Sequence, residues 1–190
     1  MPFEKTILYF EKVGKENTEA TLSAAKKRAE ELGIRDIVVA STSGGVGLKT
    51  AKFFKGYNVV VVAHSTGFKD KGKNEMQDEA QAKIRAEGGK ILITDHAFAG
   101  VSRAINRKFN TLGPAELAAN VLRLFGQGMK VVVEITYMAA DSGMIPLDKD
   151  IIAIAGSGGG ADTAVVIKPA HLNEMFDLCV REIITKPNTR

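Results

Sequence analysis

The chain of 190 residues is 45% hydrophobic and 25% charged, enough length and apolar content for one sizeable globular domain that needs no disulfide staples. Its net charge of +4 comes from basic residues interspersed with acidic ones, as in KKRAEEL and KNEMQDEAQAKIRAE, a pattern of solvated helix faces that gives a nucleic-acid partner no support. A lone cysteine (Cys179), an N-terminus without a signal-peptide pattern and no apolar run of the ~20 residues a membrane span needs lead us to expect a soluble, cytoplasmic protein with no membrane partner.

Taken in chain order, apolar β-branched runs predict strands at 6–10, 36–40, 58–63, 90–94, 130–136, 150–155 and 163–168. The helix after the first strand starts near Asn17 or Thr18, turns Leu22, Ala25, Ala29 and Leu32 inward and stops at Gly33. The second strand runs through the turn STSGGVG straight into a helix. A third helix is expected from Asn74, with Gln77 completing its cap and Met76, Ala80 and Ile84 inward. The fourth has Pro114 at its first position, a core face of Leu117, Val121, Leu124 and Phe125, and Gly126 as its stop.

After residue 129 the pattern reads as three strands without an intervening helix, then a final helix from about His171 that places Cys179 on its buried face. Residues 99–113 and 138–150 read as long loops. The fold expected is a three-layer, doubly wound α/β domain with a mainly parallel sheet, a single unit over residues 1–190. Regular strand–helix repeats fill 1–128, and additional strands and a C-terminal helix fill 129–190.

Ligands of open parallel sheets bind beyond the carboxyl ends of the strands. That rule selects Ser41, Thr42, Ser43, Gly44 and Gly45 after the second strand, and His64, Ser65, Thr66, Gly67 and Phe68 after the third. It adds Asp95 and His96 after the fourth, Tyr137 after the fifth, and Gly156, Ser157, Gly158 and Gly159 after the sixth. The turn STSGGVG has glycines for close backbone approach, the free N–H groups of a helix start, and hydroxyls, which together suit a phosphate; the alternative is a helix cap and a tight turn. It lacks the Walker lysine. The loop AGSGGGAD matches GxGxxA but leads into another strand, so it reads as a glycine-rich hairpin in preference to a dinucleotide site. His64 and His96, past adjacent strand ends, are the candidate catalytic residues, as acid or base; hydrogen bonding to a loop is their structural alternative. Neither a metal-ligand spacing nor a nucleophile motif occurs.

The span DIVVASTSGGVGLKTAKFFKGYNVVVVAHSTGF resembles the C-terminal α/β domain of pyruvate kinase over about the first two-thirds of the chain, and with HSTGFKDKGKNEM nearly all of the chain looks like the stand-alone archaeal proteins of that domain family. The resemblance implies a phosphate-holding turn, with Ser41, Ser43 and Gly44 matching its pattern and Val46 and Gly47 departing from it. It also implies FMN as the cofactor of the cleft, with Phe68, Phe98 and Tyr137 near the strand ends. Pyruvate kinase activity is not implied, because that enzyme's substrate and metal sites belong to a barrel domain to which nothing in these residues corresponds. The function expected is binding of a phosphate-bearing small molecule. A metabolite-sensing regulatory module for a sugar phosphate and a flavin-dependent oxidoreductase are the alternatives, and association into a homo-oligomer is left open.

Overall fold

The valine and isoleucine runs are buried on both faces because helices cover both sides of one sheet. In the computed structural model, which describes residues 2–189, the strands are β1 (Leu8–Phe10), β2 (Asp36–Ala40), β3 (Asn58–Ala63), β4 (Lys90–Ile93), β5 (Ile151–Ala155), β6 (Thr163–Lys168) and β7 (Cys179–Pro187). They form one sheet in the order β1-β7-β6-β5-β2-β3-β4, parallel throughout except for β6, which is antiparallel to both neighbours.

On one face lie α1 (Thr18–Leu32), α2 (Gly45–Phe53) and α3 (Asp78–Ala86), packing Leu22, Ala25, Ala29, Phe54 and Ile84 against Ile37, Val39, Val61, Ile152 and Ile154. The other face is covered by α6 (Gln127–Asp141), whose Met129, Val132, Val133 and Ile135 meet Val38, Val60, Ile151 and Ala153. Alternate residues of β2 thus serve opposite layers. The helices α4 (Gly100–Phe109) and α5 (Pro114–Leu122) lie outside α6. Burying one such large side chain contributes about 1.5–3 kcal/mol, so two filled layers hold the sheet in place.

The run KVVVEIT is not a strand. Residues 127–141 form α6, and all but three of these fifteen residues are buried. A helix buried on every side reads like a strand buried on both faces, and the β-branched residues mislead further, since burial overrides their local preference. The predicted C-terminal helix is also absent: after one short 3-10 stretch at Leu172–Asp177, residues Cys179–Pro187 enter the sheet as β7 between β1 and β6. Cys179, expected to be buried, is exposed at the start of that strand.

The stretch 99–113, expected as a loop, contains α4. The third helix starts at Asp78 and not at Asn74, whose Oδ1 accepts from the Met76 N–H at 2.8 Å and whose carbonyl accepts from Gln77 at 2.9 Å in the turn before it. Leu117, Val121, Leu124 and Phe125 do not form a core face; each is more than half exposed, as α5 turns Ala119 toward α6 instead. Leu32 is also exposed. No helix among the described residues is long and apolar enough to cross a membrane.

Candidate functional site

The chain steps from β2 rightward to β3 and β4, then returns through α6 to place β5 on the other side of β2. Crossovers depart in opposite directions at this switch point and leave a crevice above the carboxyl ends of β2 and β5. A cleft of about 820 Å³ lies there. Its walls are the turn at 41–46, the glycine loop at 156–160, the short 3-10 turn before α1 with Lys15 and Glu16, and Gln127 and Val131 of α6.

The turn is organised by Ser41, which is buried and whose hydroxyl accepts from the Gly47 N–H at 3.0 Å, satisfying one of the free donors of α2. Thr42, Ser43 and Gly45 are exposed on the cleft side. Gly44 precedes the helix at φ 95°, and a Cβ there would come within 2.9 Å of the Ala80 methyl. The start of α2 therefore presents backbone N–H groups, two hydroxyls and the nearby Lys49 to whatever enters.

Opposite, the glycine loop is the hairpin between β5 and β6, with Ala155 paired to Thr163. Asp162 is buried and closes it, accepting from the Ser157 N–H at 3.1 Å and from the Thr163 hydroxyl at 2.7 Å. Thr18 and Thr21 of α1 bond to the backbone of Ala161, at 3.1 and 3.2 Å, and clasp the hairpin to the start of α1.

A smaller annex of about 160 Å³ continues from the cleft, sharing Ser41, Thr42, His64, Gln127 and Val131 with it. His64 and His96 do come together here, ring centres 5.2 Å apart, with Phe68 at 4.1 Å from His64 and stacked at 4.9 Å on His96. His64 Nδ1 is 2.7 Å from Glu75 Oε2 and its Nε2 is 3.4 Å from the Thr42 hydroxyl. His96 Nδ1 is 3.6 Å from Glu134 Oε2, while its Nε2 is buried and without a partner.

Glu134 is nearly fully buried on α6. It accepts from Lys130 one turn earlier and from the Phe98 N–H at 3.1 Å. Burial acts to raise its pKa, but the nearby His96 ring and the Lys130 ammonium outweigh that and hold it at about 2, so it is a carboxylate. Burial pulls Lys130 below the usual lysine range despite its partner.

Residues 19–167 match the family of the pyruvate kinase alpha/beta domain. The chain belongs to this family. Among solved structures it is similar to Cryptosporidium parvum pyruvate kinase in complex with ADP, at 16% identity and a TM-score of 0.42, over 80% of this chain and 23% of that one. A second pyruvate kinase structure from Cryptosporidium parvum is matched at 16% identity and a TM-score of 0.37, over 78% of this chain and 22% of that one. The chain thus spans about a quarter of the length of these enzymes. The match to the family domain starts just after Lys15, Glu16 and Thr18 and ends in β6, so the β1–β7 pair at the sheet edge lies outside it.

Of the residues singled out in the sequence, Ser41, Thr42, Ser43, Gly45, His64, Gly156, Ser157, Gly158 and Gly159 line the cleft, and His64, Phe68 and His96 line the annex. Gly44 lies beneath the turn, buried against α3. Thr66 and Gly67 are exposed in the turn between β3 and α3, with Thr66 at 3.5 Å from Asn74, and line neither cavity. Tyr137 is not at a strand end: it lies on α6, donates to the Met175 carbonyl at 2.7 Å, and burial raises its pKa to about 12. Phe98 is buried edge-on against it at 6.0 Å.

Sequence reasoning missed Lys15, Lys49, Gln127, Lys130 and Glu134. The rule that selected the other turns also selects Lys15, since it follows the carboxyl end of β1. Lys130 and Glu134 carried a signal too: charges four residues apart make no sense in a strand buried on both faces, but meet on one face of a helix.

Proposed function

We propose that this protein binds a phosphate-bearing small molecule in the cleft between β2 and β5, with the phosphate at the start of α2. The observation that carries the reading is the division of labour within the turn: Ser41 is consumed in capping Gly47, while Thr42, Ser43 and Gly45 face open space. A volume of about 820 Å³ falls within the range of small-molecule sites, roughly 300–1,000 Å³. Lys15 and Lys49 on the rim offer charge to a phosphate, with Glu16 and Glu19 on the α1 side.

FMN is the first ligand to test. The residues present fit its phosphate, and Val46, Val131 and the backbone of the glycine loop are the surfaces offered to its ring. Stacking by Phe68, Phe98 or Tyr137 does not support it. Phe68 is already packed against His64, His96 and, at 4.6 Å, the Arg103 guanidinium, and the other two are buried against each other.

Titration of the full chain into FMN, followed by flavin fluorescence, tests the reading. Saturable quenching that Ser43→Asp removes is expected, because a carboxylate at the helix start repels a phosphate. Absence of quenching at high micromolar FMN rejects FMN, and absence of binding by FMN, glucose phosphate and inorganic phosphate alike rejects the phosphate site.

A further inference from the structure

The annex wall carries more cations than carboxylates. Arg103, Arg123 and Lys130 line it, and the one carboxylate among its lining residues is Glu134. Lys130 is committed to Glu134. Arg123 donates only to neutral oxygens, Gln127 Oε1 at 2.8 Å and Asn120 Oδ1 at 2.9 Å, and the Arg103 guanidinium sits over the Phe68 ring, 4.6 Å from its centre. Among the described residues neither arginine forms an ion pair. The same three cations border a second cavity of about 320 Å³ on the outer side, where Glu116 is held by Ser102 and by the Gly113 N–H at 3.2 Å.

An exposed arginine lacking a carboxylate partner is unremarkable. Two of them converging with a buried lysine on a cavity wall is different, because mutual repulsion and desolvation both oppose the arrangement. Their charges also act on Lys130, adding to the fall in its pKa caused first by burial. The buried His96 Nε2, with no partner, opens the same wall to one more contact. An entering anion would offset the repulsion, offer each guanidinium a planar acceptor, and give the partnerless Nε2 of His96 a hydrogen-bond partner.

We propose that the annex is a second anion-binding subsite, contiguous with the phosphate cleft, and that the ligand is a phosphorylated carboxylic acid whose carboxylate reaches Arg103, Arg123 and His96. This rests on the phosphate reading of the cleft and narrows it. The annex volume of about 160 Å³ has room for a carboxylate end. Such a ligand spans the wall shared by the two cavities, past Thr42 and His64.

The test compares matched pairs by calorimetry: phosphoglycerate against glycerol phosphate, and phosphogluconate against glucose phosphate. The acid of a pair is expected to bind on the order of tenfold or more tightly than its match without the carboxylate, the scale of a charged hydrogen bond. The double substitution Arg103→Gln, Arg123→Gln should erase that difference and leave unchanged the affinity of the member without a carboxylate. A separate readout follows the His96 ring by NMR during titration with oxalate alone, which should shift it in the unsubstituted protein and not in the double variant. Equal affinities within both pairs, or an unmoved His96 ring, overturn the subsite while the phosphate cleft stands on the binding of either member. A shifted His96 with no binding by any phosphate ester reverses that outcome: the annex holds anions and the phosphate reading fails.

Discussion

The Ser41 hydroxyl accepts a hydrogen bond from the Gly47 N–H at 3.0 Å, across the whole turn that opens α2. Ser41 is therefore a structural cap, and Thr42 and Ser43 are the hydroxyls left for a ligand. Ser41→Ala should lower stability by about 1 kcal/mol in urea unfolding, the usual cost of a lost cap. Ser43→Ala should stay within about 0.5 kcal/mol of the parent, as exposed substitutions do, and weaken FMN binding. The opposite pattern in the two assays would place the ligand contact at Ser41.

Gly44 is conformationally committed. Its φ of 95° disfavours any side chain, and a Cβ would press to 2.9 Å on the Ala80 methyl of α3. Gly44→Ala should therefore cost about 1–3 kcal/mol. Gly45→Ala meets open space and lacks the positive φ, so its unfolding midpoint should stay close to the parent's. Parallel urea curves for the two variants check this.

The legible parts of the fold were those where local pattern and burial agree. Strands β2, β3 and β5 are short, apolar and bounded by turn residues, and α1 is amphipathic and ends at Gly33. The same rule about strand ends located the turn at 41–45, the glycine hairpin and both histidines. It failed for α6 because the packing that buries the helix on all sides erases the period that would reveal it. It failed again for β7, since a strand held between β1 and β6 owes its state to neighbours far away in sequence. The annex was hidden by the first failure, because Lys130 and Glu134 meet only when residues 127–141 are helical.

The α5 face gives a direct check of that packing. Leu117 and Leu124 are 55% and 63% exposed, whereas Ile135 and Met138 on α6 are 3% and 5% exposed. Leu117→Gln and Leu124→Gln should change stability by no more than about 0.5 kcal/mol. Ile135→Ala and Met138→Ala should each cost about 2–5 kcal/mol, through lost burial and the cavity left behind. Thermal or urea unfolding of the four variants distinguishes a core on α5 from a core on α6.

Glu134 ties the annex to stability in acid. Its pKa falls from the usual 4.5 to about 2 in the fold, against the opposing push of burial, through His96 and Lys130. A carboxyl depressed in the folded state stabilises the fold above its unfolded pKa, and that contribution is lost as pH falls through the folded value. At about 1.4 kcal/mol per pKa unit the drop corresponds to about 3 kcal/mol, present at pH 5 and above and lost between about pH 4.5 and 2. Glu134→Gln should therefore lose less stability than the parent across that window, and start lower at neutral pH because Lys130 is left buried without its partner. Lys130→Met should also be destabilising at neutral pH, by about 3–5 kcal/mol, for the converse reason. Urea midpoints taken from pH 7 down to 2.5 measure both effects; an acid limb of the same depth in parent and Glu134→Gln would show that the carboxylate is not held by the fold.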